Sequence, residues 1–299
     1  MKPMNMSESR RRKLQQLRRQ IAAGDFAAAA SLLAATGPRA QPADLSPAPL
    51  TLVQACPGRE LTLDTAAGPV PYWHIRRRLK RVAPADAAIA REYASVLRGA
   101  RQRFDELELS EALAHVSLAG PGDLLFMDIE TCGLAGCAIF LIGVMAYERG
   151  DLVFEQLLAR DYGEEPAICQ AFTERLAAAG VLVTFNGKSF DMTMIRERAA
   201  FHGVGWPDRE PPHLDLLHEV RRRWRAELPN CRLQTLEQHF CGRHRVGDIP
   251  GSGIPAAYHR FVDTADARPM ADILHHNLLD MLTMAQLVVA LLTGRGPGR

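Results

Sequence analysis

The chain predicts an α/β protein: a mixed sheet flanked by helices, with a helical and β-hairpin extension at its N-terminal end. Three observations carry this. Leu124–Met127 is a short, wholly apolar run, the signature of a strand covered on both faces. Two further apolar runs, Ile139–Tyr147 and Leu152–Leu158, follow it across the turn-forming Arg149-Gly150-Asp151, so the three read as an antiparallel meander. Next comes a helical pattern over Glu164–Ala179 with apolar positions at Ile168, Ala171, Phe172 and Leu176, stopped by Gly180. A fourth apolar run, Val181–Phe185, and another helix, Phe190–Phe201, continue the alternation. Strand, helix, strand, helix after a meander makes the sheet mixed.

The remaining elements divide the 299 residues into three parts. Residues 1–49 form a basic and Ala-rich helical segment with a proline-rich linker; Arg10–Lys13 and Arg18–Arg19 read as the solvated face of amphipathic helices in preference to an arm that touches nucleic acid. Residues 50–119 form a small β/α extension. There, Leu61–Leu63 and Val70–Ile75 flank the turn-prone Ala66-Ala67-Gly68, and Pro84 opens a helical stretch over Ala85–Leu113 that ends in Asp105, Glu106, Glu108 and Glu111. Residues 120–293 form the main domain, mostly helical after Asp215, with a Gly/Pro loop at Gly247–Pro255 and a last helix over Met270–Leu292 stopped by Gly294.

Composition narrows the class. With 47% hydrophobic and 23% charged residues, the chain is an ordinary globular one, able to bury a core. Its net charge of +2 does not announce a nucleic-acid binder; the positive charge lies in blocks instead. The six cysteines contain no C-x-x-C pair, which argues against a structural zinc site, and are expected to be reduced and mostly buried. The longest apolar run, Cys137–Tyr147, has 11 residues, too few to span a bilayer. A cytoplasmic protein with no membrane partner is expected.

The chemistry-bearing residues are acids. Asp128 and Glu130 end the first strand two residues apart, so both project from one face. Two carboxylates that close repel unless a cation lies between them, and hard divalent ions take such oxygen ligands. Asp191 follows the fourth strand at the start of a helix, where the helix dipole favours an acid; Asn186 and Lys188, in the loop before it, suit a phosphate. Asp280 lies in the last helix among Leu278, Leu279, Met281 and Leu282, where an unpaired charge is costly. His276, four residues earlier, shares its helix face, and His275 stands a quarter turn away.

These residues resemble the three motifs of the DEDD exonucleases of the ribonuclease-H-like superfamily. Asp128-x-Glu130-Thr131 with Gly133-Leu134 resembles the first motif, Asn186–Asp191 the second, and His276-Asn277-Leu278-Leu279-Asp280 the third. Asp215–His218, Cys231–Glu237, Gly247–Gly251, Ile254-Pro255 and Tyr258 resemble the bacterial YprB-like branch. The resemblance covers about residues 120–292. It implies a ribonuclease-H-like fold and a metal-dependent 3′–5′ exonuclease that hydrolyses nucleic-acid phosphodiester bonds. Two Mg²⁺ or Mn²⁺ ions would be held by Asp128, Glu130, Asp191 and Asp280, with His276 as general base. His275 has the spacing used by other members. A single-stranded 3′ end of DNA or RNA is the expected partner, contacted by Thr131, Leu134, Asn186 and Lys188, with Arg232 a further phosphate contact. Cys132 stands where the first motif often has Thr and reads as packing. The alternative is a non-catalytic nucleic-acid-binding protein on a nuclease fold, motivated by Arg76–Arg81 and Arg221–Arg225 beside Trp73 and Trp224.

Overall fold

A computed structural model describes residues 48–102, 109–133, 136–245 and 247–298. The helices expected over residues 1–36, the acidic residues Asp105, Glu106 and Glu108, and Leu134 lie outside these segments. The strands are β1 (Arg59–Thr65), β2 (Gly68–Arg78), β3 (Leu124–Thr131), β4 (Ile139–Glu148), β5 (Asp151–Leu158), β6 (Val181–Thr184) and β7 (His213–Asp215). The main helices are α1 (Ala87–Gln102), α2 (Glu111–Leu118), α3 (Glu165–Ala178), α4 (Asp191–Phe201), α5 (Leu216–Trp224), α6 (Ile254–Thr264) and α7 (Arg268–Thr293).

All seven strands join one sheet, in the order β1-β2-β5-β4-β3-β6-β7. The expected meander is present: β3, β4 and β5 pair antiparallel in succession. The hairpin of the extension also forms and adds its two strands to the same sheet through β2 and β5. β6 and β7 are parallel to β3, which makes the sheet mixed. β7 was not legible beforehand, because three residues are too few for a periodic pattern.

β3 is apolar at consecutive positions because it is central and both of its faces are covered. Leu124 and Phe126 pack with Tyr93, Leu97 and Leu282, on the side of α1 and α7. Leu125, Met127 and Ile129 pack with Ile168, Phe172 and Ile195, on the side of α3 and α4. The β4–β5 turn puts Arg149 (φ 49°) and Gly150 (φ 82°) in left-handed conformations. Two positive φ angles in a two-residue loop match the right-handed twist of the flanking strands.

Two expectations need correction. Trp73 and His74 are buried: the Trp73 indole Nε1 donates to Cys56 O at 2.9 Å, and His74 Nε2 lies 2.9 Å from Glu155 Oε2. Neither ring is available to stack on a base. Likewise only Cys56 and Cys169 are buried; the other four cysteines are half-buried, and all six are unpaired.

Helix α7 dominates the architecture. It is long and apolar enough to cross a bilayer, yet 78% of its most apolar window is buried inside the protein. It runs against the sheet close to β4. At Gly143 a Cβ atom would meet the Asn277 amide oxygen at 2.1 Å, so only glycine lets the helix approach this far. Gly143 is flanked in register by Asp128 on β3 and Gln156 on β5, giving one row across three strands. Gln156 Nε2 donates to Asn277 Oδ1 (3.0 Å) and to Leu274 O (2.7 Å), tying helix to sheet. Gly143→Ala is therefore expected to lower unfolding stability by about 1–3 kcal/mol through overpacking, read from the denaturant midpoint. An unchanged midpoint would show that α7 has room to shift.

Candidate active site

The sheet and helices bring the four acids together. Asp128 and Glu130 project from the α7 side of β3, continuing the Leu124 and Phe126 positions. Asp280 comes from α7, and Asp191 is the first residue of α4. Burial pushes the Asp128 carboxyl well above the usual range, and Asp280, Glu130 and Asp191 push it further; the hydrogen bond from Asn277 works the other way. Glu130 is raised well above its usual range by burial, then by Asp280, Asp191 and Asp248. Asp191 is pushed up to about 7 by burial, Asp215 and Asp280. Asp280 is also raised by burial, against the pull of Arg245 and His276.

The acids differ in what holds them. Asn277 Nδ2 donates to both Asp128 Oδ2 (2.9 Å) and Asp128 O (3.2 Å), so the Gln156–Asn277 link in the row described above ends on this carboxylate. Asp191 depends on its loop. Asp215, 2% exposed, accepts from the amides of Asn186 (2.8 Å) and Lys188 (3.0 Å) and caps α5 through Leu217 N (3.1 Å). Asn186 adopts φ 65°, which an Asn tolerates. No side-chain or backbone donor among the described residues reaches the carboxylates of Glu130 or Asp191.

Asp280 sits in a network. Arg245 Nη2 donates to Asp280 Oδ1 (2.5 Å), Arg245 Nε to Glu237 Oε2 (2.6 Å) and Arg245 Nη1 to Asp248 Oδ2 (3.2 Å). His276 lies between two acids: its Nδ1 is 2.9 Å from Asp248 Oδ2 and its Nε2 is 3.4 Å from Asp280 Oδ2. A proton on Nδ1, donated to Asp248, leaves Nε2 as the acceptor on the side of the acids. His275 is exposed and lines a cleft with Arg77, Arg243 and Asp272, turned away from Asp280.

Of the other residues singled out from sequence, Asn186 and Lys188 are exposed in the loop, and Lys188 lines a cleft with His213 and Glu210. Thr131 is half-buried and donates its hydroxyl to Gly133 O at 2.6 Å. Trp224 is buried and packs on Phe240 at 4.6 Å between ring centroids, so it too is unavailable for stacking. Sequence reasoning assigned no role to Arg245, Asp248, Asn277 or Gln156. Gln156 had a visible signal, a lone amide inside the apolar strand Leu152–Leu158; Asp248 and Asn277 lay within the motifs Gly247–Gly251 and His276–Asp280, and Arg245 had no signal, because it lies in a loop without periodicity.

The donor set fits hard divalent cations, which take carboxylate oxygens. Arg245 answers the charge of one of the four acids, leaving Asp128, Glu130 and Asp191 without a cationic partner among the described residues. In the conformation described, no three His, Cys, Asp or Glu side chains among those residues are gathered tightly enough to enclose an ion. The guanidinium on Asp280 and the amide on Asp128 hold those two carboxylates in their present positions.

The fold and this acidic cup fit one superfamily. A family model described as the RNase_H superfamily matches residues 125–292, more than half of the chain, and the chain belongs to that superfamily. It thus carries a nuclease-type, RNase H-like α/β fold. Among curated proteins it is a homologue of the uncharacterized protein YprB of Bacillus subtilis (strain 168), 35% identical over 172 residues, or 56% of this chain and 41% of that one. The match thus spans less than half the length of that relative. Among solved structures, the family B DNA polymerase from the hyperthermophilic archaeon Pyrobaculum calidifontis is similar with a TM-score of 0.44 and 19% identity, over 56% of this chain and 24% of that one.

Two outcomes are expected. Asp191 binds its proton more tightly folded than unfolded, with a pKa of about 7 against 3.8. It therefore costs no stability below the lower value, an increasing amount between the two, and the full amount above the upper one. In EDTA, Asp191→Asn should melt at a higher temperature than the parent at pH 8 and at the same temperature near pH 4; equal melting at pH 8 would remove the assigned strain. Arg245→Met leaves Glu237, Asp248 and Asp280 without their shared partner and should cost about 3–5 kcal/mol in metal-free denaturation. A loss under about 1 kcal/mol would mean that these acids are solvated.

Proposed function

We propose that the protein is a metal-dependent 3′–5′ exonuclease acting on single-stranded nucleic acid. One observation supports this above the others: Asp280, far along the chain, shares the electrostatic surroundings of Asp128, Glu130 and Asp191 and brings His276 with it. Buried like charges without partners are unfavourable for a fold, and they persist where function uses them.

In this reading Asp128, Glu130, Asp191 and Asp280 hold two Mg²⁺ or Mn²⁺ ions. Such ions, when bound, lower the pKa of water and neutralise charge developing on the phosphate. The protein's own groups do the rest. His276 Nε2 takes the proton from the attacking water, while Asp248 on Nδ1 keeps the ring oriented and its tautomer fixed. Asn277 orients Asp128. Asp215 holds the Asn186–Lys188 loop, whose exposed side chains meet the strand.

Matched 5′- and 3′-labelled DNA and RNA oligonucleotides, incubated with Mg²⁺ or Mn²⁺, test the reading. Stepwise shortening from the 3′ end is expected, abolished by EDTA and reduced at least a thousandfold in Asp128→Ala. His276→Ala should lower kcat by about 10²–10⁴ with little change in KM. Equal cleavage by the parent and Asp128→Ala, or none by the parent with either ion, would overturn it.

A further inference from the structure

We infer that the groove formed by the C-terminal end of α5, the Leu228–Arg232 segment and the Phe185–Asn186 loop seats the phosphate backbone of a single nucleic-acid strand. The groove has a volume of about 810 Å³ and is lined by Arg221, Arg225 and Arg232 with Asn186, Asn230 and Phe185; no carboxylate is among its lining residues. The basic cleft beside α7 differs in this respect. It mixes Arg77, Arg243 and Arg245 with Asp86, Asp248 and Asp272.

The arginines of the α5 run divide by what they meet. Arg222 pairs with Glu219, and Arg223 donates to Leu291 O at 2.6 Å; these two serve the fold. Arg221 and Arg225, four apart on one helical face, are exposed, and neither is paired with a carboxylate among the described residues. Arg232 is presented from the facing segment by a built turn: Asn230 Oδ1 accepts from Arg232 N (3.0 Å) and from Thr235 Oγ1 (2.8 Å). Three guanidinium groups converging on one groove, with no acid to answer them, set up a positive potential that attracts a polyanion.

Position and lining favour a nucleic-acid strand over other polyanions. β6 runs parallel to β3 with Val183 opposite Phe126, so Phe185 stands at the level of Asp128 and the groove opens beside the acidic cup. Its inner end offers a half-buried aromatic ring and an exposed side-chain amide, groups that stack on bases and bind their edges. An acidic peptide would use neither, and a concave groove does not fit a membrane plane. The inference rests on the exonuclease reading only for direction: the strand whose 3′ end lies at the acids would pass its upstream phosphates through the groove.

Binding of a fluorescein-labelled single strand in EDTA tests this without cleavage. Arg221→Ala/Arg225→Ala/Arg232→Ala should bind at least tenfold more weakly. Its plot of log affinity against log salt should be shallower by about 2, at about 0.7 per phosphate contact. A charge-matched control, Arg91→Ala/Arg98→Ala/Arg260→Ala, should bind as the parent does, with all three proteins melting alike. Should the triple groove variant fail to fold, Arg232→Ala alone should lower the slope by about 0.7. Equal losses in groove and control variants, no binding by the parent, or competition by poly-glutamate as effective as by unlabelled strand would overturn the inference. Groove-dependent binding by a protein that cleaves nothing would sustain it and bring down the exonuclease reading.

Discussion

Four carboxylates in one partly buried cup repel each other and resist desolvation, and much of the structure is arranged to hold them there regardless. The rigid part is the row Asp128–Gly143–Gln156 across β3, β4 and β5, against which α7 is pressed. The missing side chain at Gly143 lets Asn277 reach the sheet, and Asn277 meets Asp128 on one side and Gln156 on the other. The same helix, one turn on, delivers Asp280. Position and charge are therefore coupled: α7 cannot move off the sheet without loosening both acids.

Two groups stand out among the buried and half-buried acids of this protein. Glu165 is 1% exposed, but Arg198, His202 and the amide of Ile139 outweigh the effect of burial and hold it below the usual carboxylate range. Glu155 is held at about 2, burial being outweighed by His74 and Arg175. Glu237 and Asp215 also have donors on both oxygens. These acids build structure. Asp128, Glu130 and Asp191 are raised, first by burial and then by neighbouring acids, with no cation among the described residues to offset either. That contrast marks the site by physics alone, without reference to any motif.

A second layer of charge surrounds the cup. Asp215 orders the loop before Asp191, and Asp248 and Arg245 bracket His276 and Asp280. Each acts through a group that stands closer to the acids. Beyond them lies the arginine groove beside Phe185, so an acidic centre is bordered by a basic approach. Under the proposed function, an anionic strand is drawn to the rim and repelled at the centre until cations are present.

The sequence by itself determined what is local. Period-two and period-3.6 patterns located most strands and helices, put Asp128 and Glu130 on one face, and aligned His276 with Asp280. A local pattern states which side of an element is apolar and which residues share a face. Only the tertiary structure decided what those faces meet. It joined the β1–β2 hairpin to the main sheet, added the three-residue β7, buried Trp73, His74 and Trp224, and turned His276 instead of His275 toward the acids. It also set Arg245 on Asp280 and Asp248 on His276 from a loop with no periodicity to read. Such partnerships come from packing between segments far apart in the chain, where the energy lies in contacts that no window of neighbouring residues contains.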